Sequence, residues 1–495
     1  MGNERAGIEY VGIIIINSVE HSGGLYRVKG EENMVSALTS RAKMYPLAGG
    51  LLLWAALSLL APPVTPALDA EAGRKLGLAD AVRMALENNH EVLARKEGLH
   101  AREKDVGVAR SSLLPRVWLE ERYLRTTTPG YAFMSRLNQE RITTGDFSPD
   151  LLNDPDPIGD FQTTVAVEQP LFLQPALVSL SMSRKEAQAA AGDLKTKKEE
   201  TAFSVTRAWL MVQSARGHVR ASARGIEEAQ ENVRLASLRH KNGLAQYADT
   251  LRTATALMEA RQRANSARKD LALARERLGL LTAAGERVDA AEEPVVLPFR
   301  DFTHYTGTAL DRSDLKAASL RTEIARKGVS LAEAGYLPTL GVGAAYQRDD
   351  RDTPFGSEGK SWQASAFLRW DFFDGTKREY QRAKAKHLAN QAEQSLQAMK
   401  QGISYRIREA WLNAEEARMN SELARQALTT AEESTRLIRL RYENGLAPLA
   451  DLLSAQASLE QARAAVVERE NAVGIAAATL SFEGGTMLED LGVGE

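Results

Sequence analysis

The chain has no cysteine among its 495 residues. That excludes structural disulfides, thiolate nucleophiles, cysteine metal sites and a lipid anchor on an N-terminal cysteine. Charge of one sign is also missing. Lys and Arg number 63 against 65 Asp and Glu, a formal net charge of -2. The basic excess expected of a nucleic-acid partner is absent. Aromatic residues are few, at 6%. The longest apolar run, Leu47 to Ala61, has about 15 residues, short of the roughly 20 that a spanning helix needs. The chain is 44% hydrophobic, enough for a large folded body.

Catalytic machinery is missing too. The seven histidines, His21, His90, His100, His218, His240, His304 and His387, are dispersed. His218 and His240 sit among polar helix residues and read as solvated. There is no GxxxxGK[ST] loop, and Gly341-Val342-Gly343 lies in a strand pattern, where it reads as close packing. Carboxylates such as Glu227-Glu228 and Glu432-Glu433 belong to charged helix faces. No cofactor, no metal and no enzymatic activity are expected.

The run at Leu47 to Ala61 has the form of a secretory signal. Arg41 and Lys43 precede it, and Pro62 and Pro63 stop it. Thr65 and Ala67 are the small residues of a cleavage site after Ala67, and Ala70-Glu71-Ala72 offers an alternative. A membrane anchor is the competing interpretation. Residues 1–33 precede a plausible start at Met34, so 1–67 is expected to be leader and signal.

What is present is a duplication. Residues 203–284 align with 405–486 without a gap. Ala208-Trp209-Leu210 falls on Ala410-Trp411-Leu412, and Asn242-Gly243-Leu244-Ala245 on Asn444-Gly445-Leu446-Ala447. So long a period means a duplicated half-protein, since solenoid units are shorter. Within the first copy a heptad places Val205, Val212, Val219, Ile226 and Val233 at one position. Ala208, Ala215, Ser222, Ala229 and Ala236 take the other. Such a seam predicts a long, closely packed supercoiled helix. Ala410, Ala417, Ala424 and Ala431 repeat it. The Asn-Gly pairs end each helix, and a returning helix follows. A purely structural coiled coil has the same periodicity.

Four short segments have period two. In 362–371, Trp362, Ala364, Ala366, Leu368 and Trp370 alternate with Gln363, Ser365, Phe367, Arg369 and Asp371. Residues 161–168 and 340–347 alternate similarly, and 117–124 less cleanly. Trp362 and Trp370 lie about 26 Å apart along an ideal strand, which suits aromatics at both edges of a membrane band. Four strands do not close a barrel, and lipid tolerates no open edge, so several copies would share one barrel.

The expected layout is a first repeat at 68–284, with strands near 115–125 and 161–171 and a helical hairpin near 175–282. A linker at 285–306 follows. The second repeat is 307–486, with strands near 338–348 and 361–373 and a hairpin near 375–482. Residues 487–495 read as a C-terminal tail, and 126–160 as a long polar loop.

In this order the elements resemble the TolC-type outer-membrane efflux channels over about 76–486. The motifs that carry the resemblance are Arg239-x3-Gly243-x5-Asp249, Arg441-x3-Gly445-x5-Asp451, Trp370-Asp371-Phe372-Phe373-Asp374-Gly375 and Ala85-Leu86-Glu87-Asn88-Asn89. The resemblance implies an α+β membrane protein, a homotrimer with a twelve-stranded β-barrel in outer-membrane lipid, continued by a periplasmic α-helical coiled-coil tunnel. It implies the outer membrane of a Gram-negative bacterium. It implies a periplasmic membrane-fusion adaptor and an inner-membrane transporter of the RND, ABC or MFS class as partners. Asp451 falls on a gate aspartate, and Ser454 where some members have a second. Tyr442 and Asp249 fall on a linking pair, and Ala447 where some members carry an arginine. Helix capping is the plainer role for both aspartates. Arg239, Gly243, Leu244, Arg441, Gly445 and Leu446 are the implied adaptor-contacting tips. The alternative function is a soluble periplasmic coiled-coil adaptor, which needs neither strands nor duplication.

Overall fold

The computed structural model describes residues 73–293 and 297–494. The leader, the signal and the cleavage sites lie outside the described residues. In chain order the elements are β1 (Arg74–Leu76), α1 (Leu78–Asn88), α2 (His90–Ser111), β2 (Arg116–Thr126), α3 (Pro129–Asn138), α4 (Pro149–Asn153), β3 (Ile158–Phe172), α5 (Gln174–Lys241) and α6 (Tyr247–Thr282). Then come β4 (Val288–Ala290), α7 (Phe302–Thr308), α8 (Ser313–Ala334), β5 (Thr339–Asp350), β6 (Gly359–Arg369), α9 (Lys377–Glu443), α10 (Leu449–Gly484) and α11 (Met487–Asp490).

α5 packs on α6 and α10, and α10 on α9, so the helices lie side by side in the order α6-α5-α10-α9. Val205 and Val212 are buried on the α5 seam, as are Ala208, Ala229 and Ala236. Asn232 lies beside that seam, next to Val233. It is buried and exchanges amide hydrogen bonds with Gln456 of α10, which ties the two hairpins together.

The sheet has the order β2-β3-β5-β6, antiparallel throughout, with two free edges. Its register sorts the side chains. Leu119, Val165, Tyr346 and Trp362 lie in one cross-strand row, and Val117, Val167, Ala344 and Ala364 in the next. Arg122, Gln162 and Asp349 form a row on the opposite face, as do Glu120, Thr164, Gln347 and Ser361. One face is therefore mainly apolar and the other mainly polar, because side chains alternate. The irregular alternation of β2 comes from Trp118 and Leu124 on the polar face.

The largest hydrophobic core joins α1, β1, β4 and the adjoining parts of α5, α6 and α10. Trp209 is 0% exposed there and donates from Nε1 to the Leu76 carbonyl at 3.0 Å. Its repeat counterpart Trp411 packs instead against Phe299 and Phe302. The duplicated halves thus bury equivalent tryptophans differently.

Several expectations need correction. Residues 126–160 are not an irregular loop but hold α3, a 3-10 turn at Thr144–Phe147, α4 and the start of β3. The linker contains β4, which pairs in parallel with β1, and the start of α7. The C-terminal tail carries α11, whose Met487 is fully buried, and Val493 also joins the main core. β6 ends at Arg369, so Trp370 lies beyond the strand. Its indole donates to the Tyr336 carbonyl at 3.0 Å, and the next residue in register on the partner side is Pro338, which has no N–H for the ladder.

Glu199 of α5 is buried near Lys195, Arg312 and Asp314, and burial pushes its carboxyl up to about 7 despite the two cations. Between the ordinary value of 4.5 and about 7 the folded chain holds a proton that the unfolded chain has lost. Stability therefore falls as pH rises through that window and is flat above it. Glu199→Gln should stabilise the protein at pH 8, on the order of 2 kcal/mol. Near pH 4.5 the gain should vanish. Thermal unfolding at both pH values checks this, and an equal gain at both would remove Glu199 as the cause.

Candidate functional site: the paired hairpin tips

Each long helix ends in the same backbone device. Gly243 has φ 72° and Gly445 has φ 75°, a left-handed conformation that glycine adopts without a Cβ penalty. Leu244 N–H donates to the Arg239 carbonyl and Gly243 N–H to that of His240. Leu446 N–H donates to Arg441 and Gly445 N–H to Tyr442 in the same way. These are paired Schellman motifs. They turn the chain sharply and leave Leu244 and Leu446 exposed, at 67% and 69%. Arg441, Gly243 and Gly445 are exposed beside them.

Arg239 joins the tips. Its Nη1 donates to the Tyr442 carbonyl at 2.6 Å and the Glu443 carbonyl at 3.2 Å, the last carbonyls of α9. Its guanidinium carbon stands 4.8 Å from the centre of the Tyr442 ring. A cation is favoured at a helix C-terminus and over an aromatic face. Tyr442 is 4% exposed, in a small core with Leu449 and Leu452. Burial pushes its phenol up from 10.0, Arg239 pulls it down and Asp249 raises it again. The phenol therefore stays neutral and keeps its proton to donate.

The Tyr442 hydroxyl is buried without a hydrogen-bond partner in the protomer. No bond joins it to Asp249 among the described residues. Asp249 instead lies 3.9 Å from Arg252, one turn along α6. Nor does either aspartate cap a helix. The N-caps are Gln246 and Pro448, neither with a side-chain cap bond, and Asp249 and Asp451 stand three residues further on. The sequence motif placed them about a turn too early. Asp451 and Ser454 are exposed and Ala447 is half-buried.

The structure thus gathers Arg239, Gly445, Tyr442 and Asp249, and leaves Asp451 and Ser454 on a free face. Trp362 lies in β6 and Trp370 just beyond its end, away from the tips. Sequence reading missed the carbonyl contacts of Arg239, although the equivalent Arg441 makes none. It also missed Asn232, which no local signal sets apart from Gln230, Glu231 and Arg234 around it.

The chain as a whole has counterparts among known proteins. The outer membrane efflux protein family profile matches residues 81–284 and 307–485. Protein CyaE of Bordetella pertussis is 24% identical over 421 residues, 82% of this chain and 82% of that one. The CmeC outer membrane channel of Campylobacter jejuni superposes with TM-score 0.70 at 16% identity, covering 83% of this chain and 86% of its own. The outer membrane protein VceC of Vibrio cholerae does so with TM-score 0.68 at 18% identity, covering 84% and 96%. The structural likeness fixes the fold, and the profile spans both halves. The chain belongs to the outer membrane efflux protein family, and is a transport channel of the outer membrane and not an enzyme.

Proposed function

We propose that three copies of this chain form the exit duct of a tripartite efflux or secretion system. Their sheets close one twelve-stranded barrel through outer-membrane lipid, and their helices continue it as a periplasmic tunnel. A periplasmic adaptor docks at the hairpin tips, and an inner-membrane transporter supplies the energy. The duct itself is passive, with selectivity from pore width and lining charge.

The observation that carries the reading is unfinished packing. The sheet has two bare edges, β2 and β6, and an exposed apolar face with Trp362 77% exposed. An open edge in lipid leaves backbone groups unpaired at a cost of several kcal/mol each. The helical layer is unfinished as well. Leu251, Met258, Leu273 and Leu280 are exposed on α6, and Tyr405, Leu412 and Met419 on α9. These are the outermost helices, so the same neighbour that pairs β6 with β2 also pairs α9 with α6. Aromatics mark both ends of the apolar face. Tyr123, Phe161, Tyr346 and Trp362 lie toward one end, and Trp370, Phe372 and Phe373 toward the other.

Fractionation with an unheated gel tests this. A trimer-sized, heat-modifiable band in the outer membrane is the expected result. Recovery as a soluble periplasmic monomer would establish the adaptor instead.

A further inference from the structure

The segment between β2 and β3 folds as a compact unit with its own bonds. Asp146 accepts from the backbone and hydroxyl of Thr143 at 2.7 and 2.8 Å and pairs with Arg136. Phe133 meets Phe147 edge-on, with ring centres 5.8 Å apart. The unit is then tied to the sheet by the residue after α3. Gln139, 1% exposed, donates from Nε2 to the Asp160 carboxylate and the Gly159 carbonyl, both at 2.9 Å. Arg141 donates to the other side of the same amide at 3.0 Å.

The register tells on which face this happens. Asp160 shares the face of Gln162, which donates to its second oxygen at 2.8 Å. Gln162 stands opposite Asp349, and Asp349 opposite Gly359. The Asn138 carbonyl lies so close above Gly359 that a Cβ there would stand 1.8 Å from it. Both anchor points therefore lie on the polar face, at the end of the sheet remote from the long helices. A loop folded outward over the apolar face would touch neither.

We propose that residues 127–157 form an inward-folded plug at the outer mouth of the duct, and that Gln139 is the clasp that holds it there. This rests on the barrel reading, in which the polar face lines the lumen. Three such units related by a threefold axis narrow the exit from the membrane side, separately from the tips at the far end of the helices. The plug sets the largest solute that passes the mouth. Gln139→Ala releases it from the plug side by removing the donor to Asp160. Gly359→Ala releases it from the sheet side by filling the space under Asn138.

The test uses the absence of native cysteine. Gln363→Cys places a single thiol on the polar face, below the plug. Intact cells carrying the full chain are treated with a small charged maleimide, or with a bulky polyethylene-glycol maleimide. The small reagent should label Gln363→Cys in every background. The bulky reagent should react about tenfold faster when Gln139→Ala or Gly359→Ala is added, because pore width then ceases to limit access. Equal rates for the bulky reagent with and without the release variants would overturn the plug. If the small reagent reaches Ala364→Cys but not Gln363→Cys, the lumen assignment itself fails, a result distinct from plug failure. The two variants act at two separate anchor points, so loss of assembly in either leaves the other to decide.

Discussion

In the proposed barrel, lysine at Val167 should cost the channel about 2–4 kcal/mol of stability, the penalty for a cation on the lipid face near the bilayer midplane. Val167 lies on β3, an inner strand, in the apolar row of Val117, Ala344 and Ala364, between the Trp362 row and the Leu368 row. That row holds no polar side chain to receive the ammonium. Lysine at Ser365, on the polar face of β6, should be tolerated, because water reaches it there. Leu368 lies one residue from the end of β6. Lysine there should cost less than at Val167, since the penalty falls toward the interface. Denaturant titration in bilayers, or the temperature at which a trimer band is lost, ranks the three. Equal tolerance at Val167 and Ser365 would sink the assignment of faces.

The second large effect concerns the tips. Arg239→Ala removes the donor to the last carbonyls of α9 and the cation over Tyr442 in one step. The combined interaction is worth about 1–2 kcal/mol, taken from a helix-terminus contact and a partly desolvated cation–π contact. If the resting gate depends on hairpins held together, open probability in planar-bilayer recordings should rise about tenfold. Arg441→Ala, on the equivalent but exposed arginine, should leave it unchanged. Asp451→Ala should act differently. In the proposed trimer three copies around the axis make a ring of like charge, so its loss should reduce cation selectivity and weaken block by multivalent cations. As Asp451 caps nothing, the change in stability should stay within the 0.3–1 kcal/mol of a first-turn carboxylate. Unaltered selectivity and block in Asp451→Ala would place the gate elsewhere.

The family was legible in the sequence because its strongest features are periodic. Heptads, period-two strands and repeated Asn-Gly turns are local patterns, and they recur twice. Non-local contacts were not legible. Nothing local tells that Gln139 meets Asp160, or that β1 pairs with β4 across most of the first half. The capping alternative for Asp249 and Asp451 failed for a related reason. A motif fixes spacing to within a turn, whereas a cap depends on one residue's φ and ψ. Trp370 shows the limit of alternation itself, since the pattern runs on past Arg369 while the ladder stops at Thr339, next to Pro338.

The main core contains residues from both ends of the folded body, Leu76 to Ala85 and Met487 to Val493. A chain that crosses a membrane from N- to C-terminus delivers these segments at opposite times. The core therefore stays incomplete until residue 493 has followed residue 76 across. Until then the apolar faces of α1 and α5 lack their last partners. Completion of translocation and closure of this core become one event, which delays subunit assembly until every strand and helix has arrived.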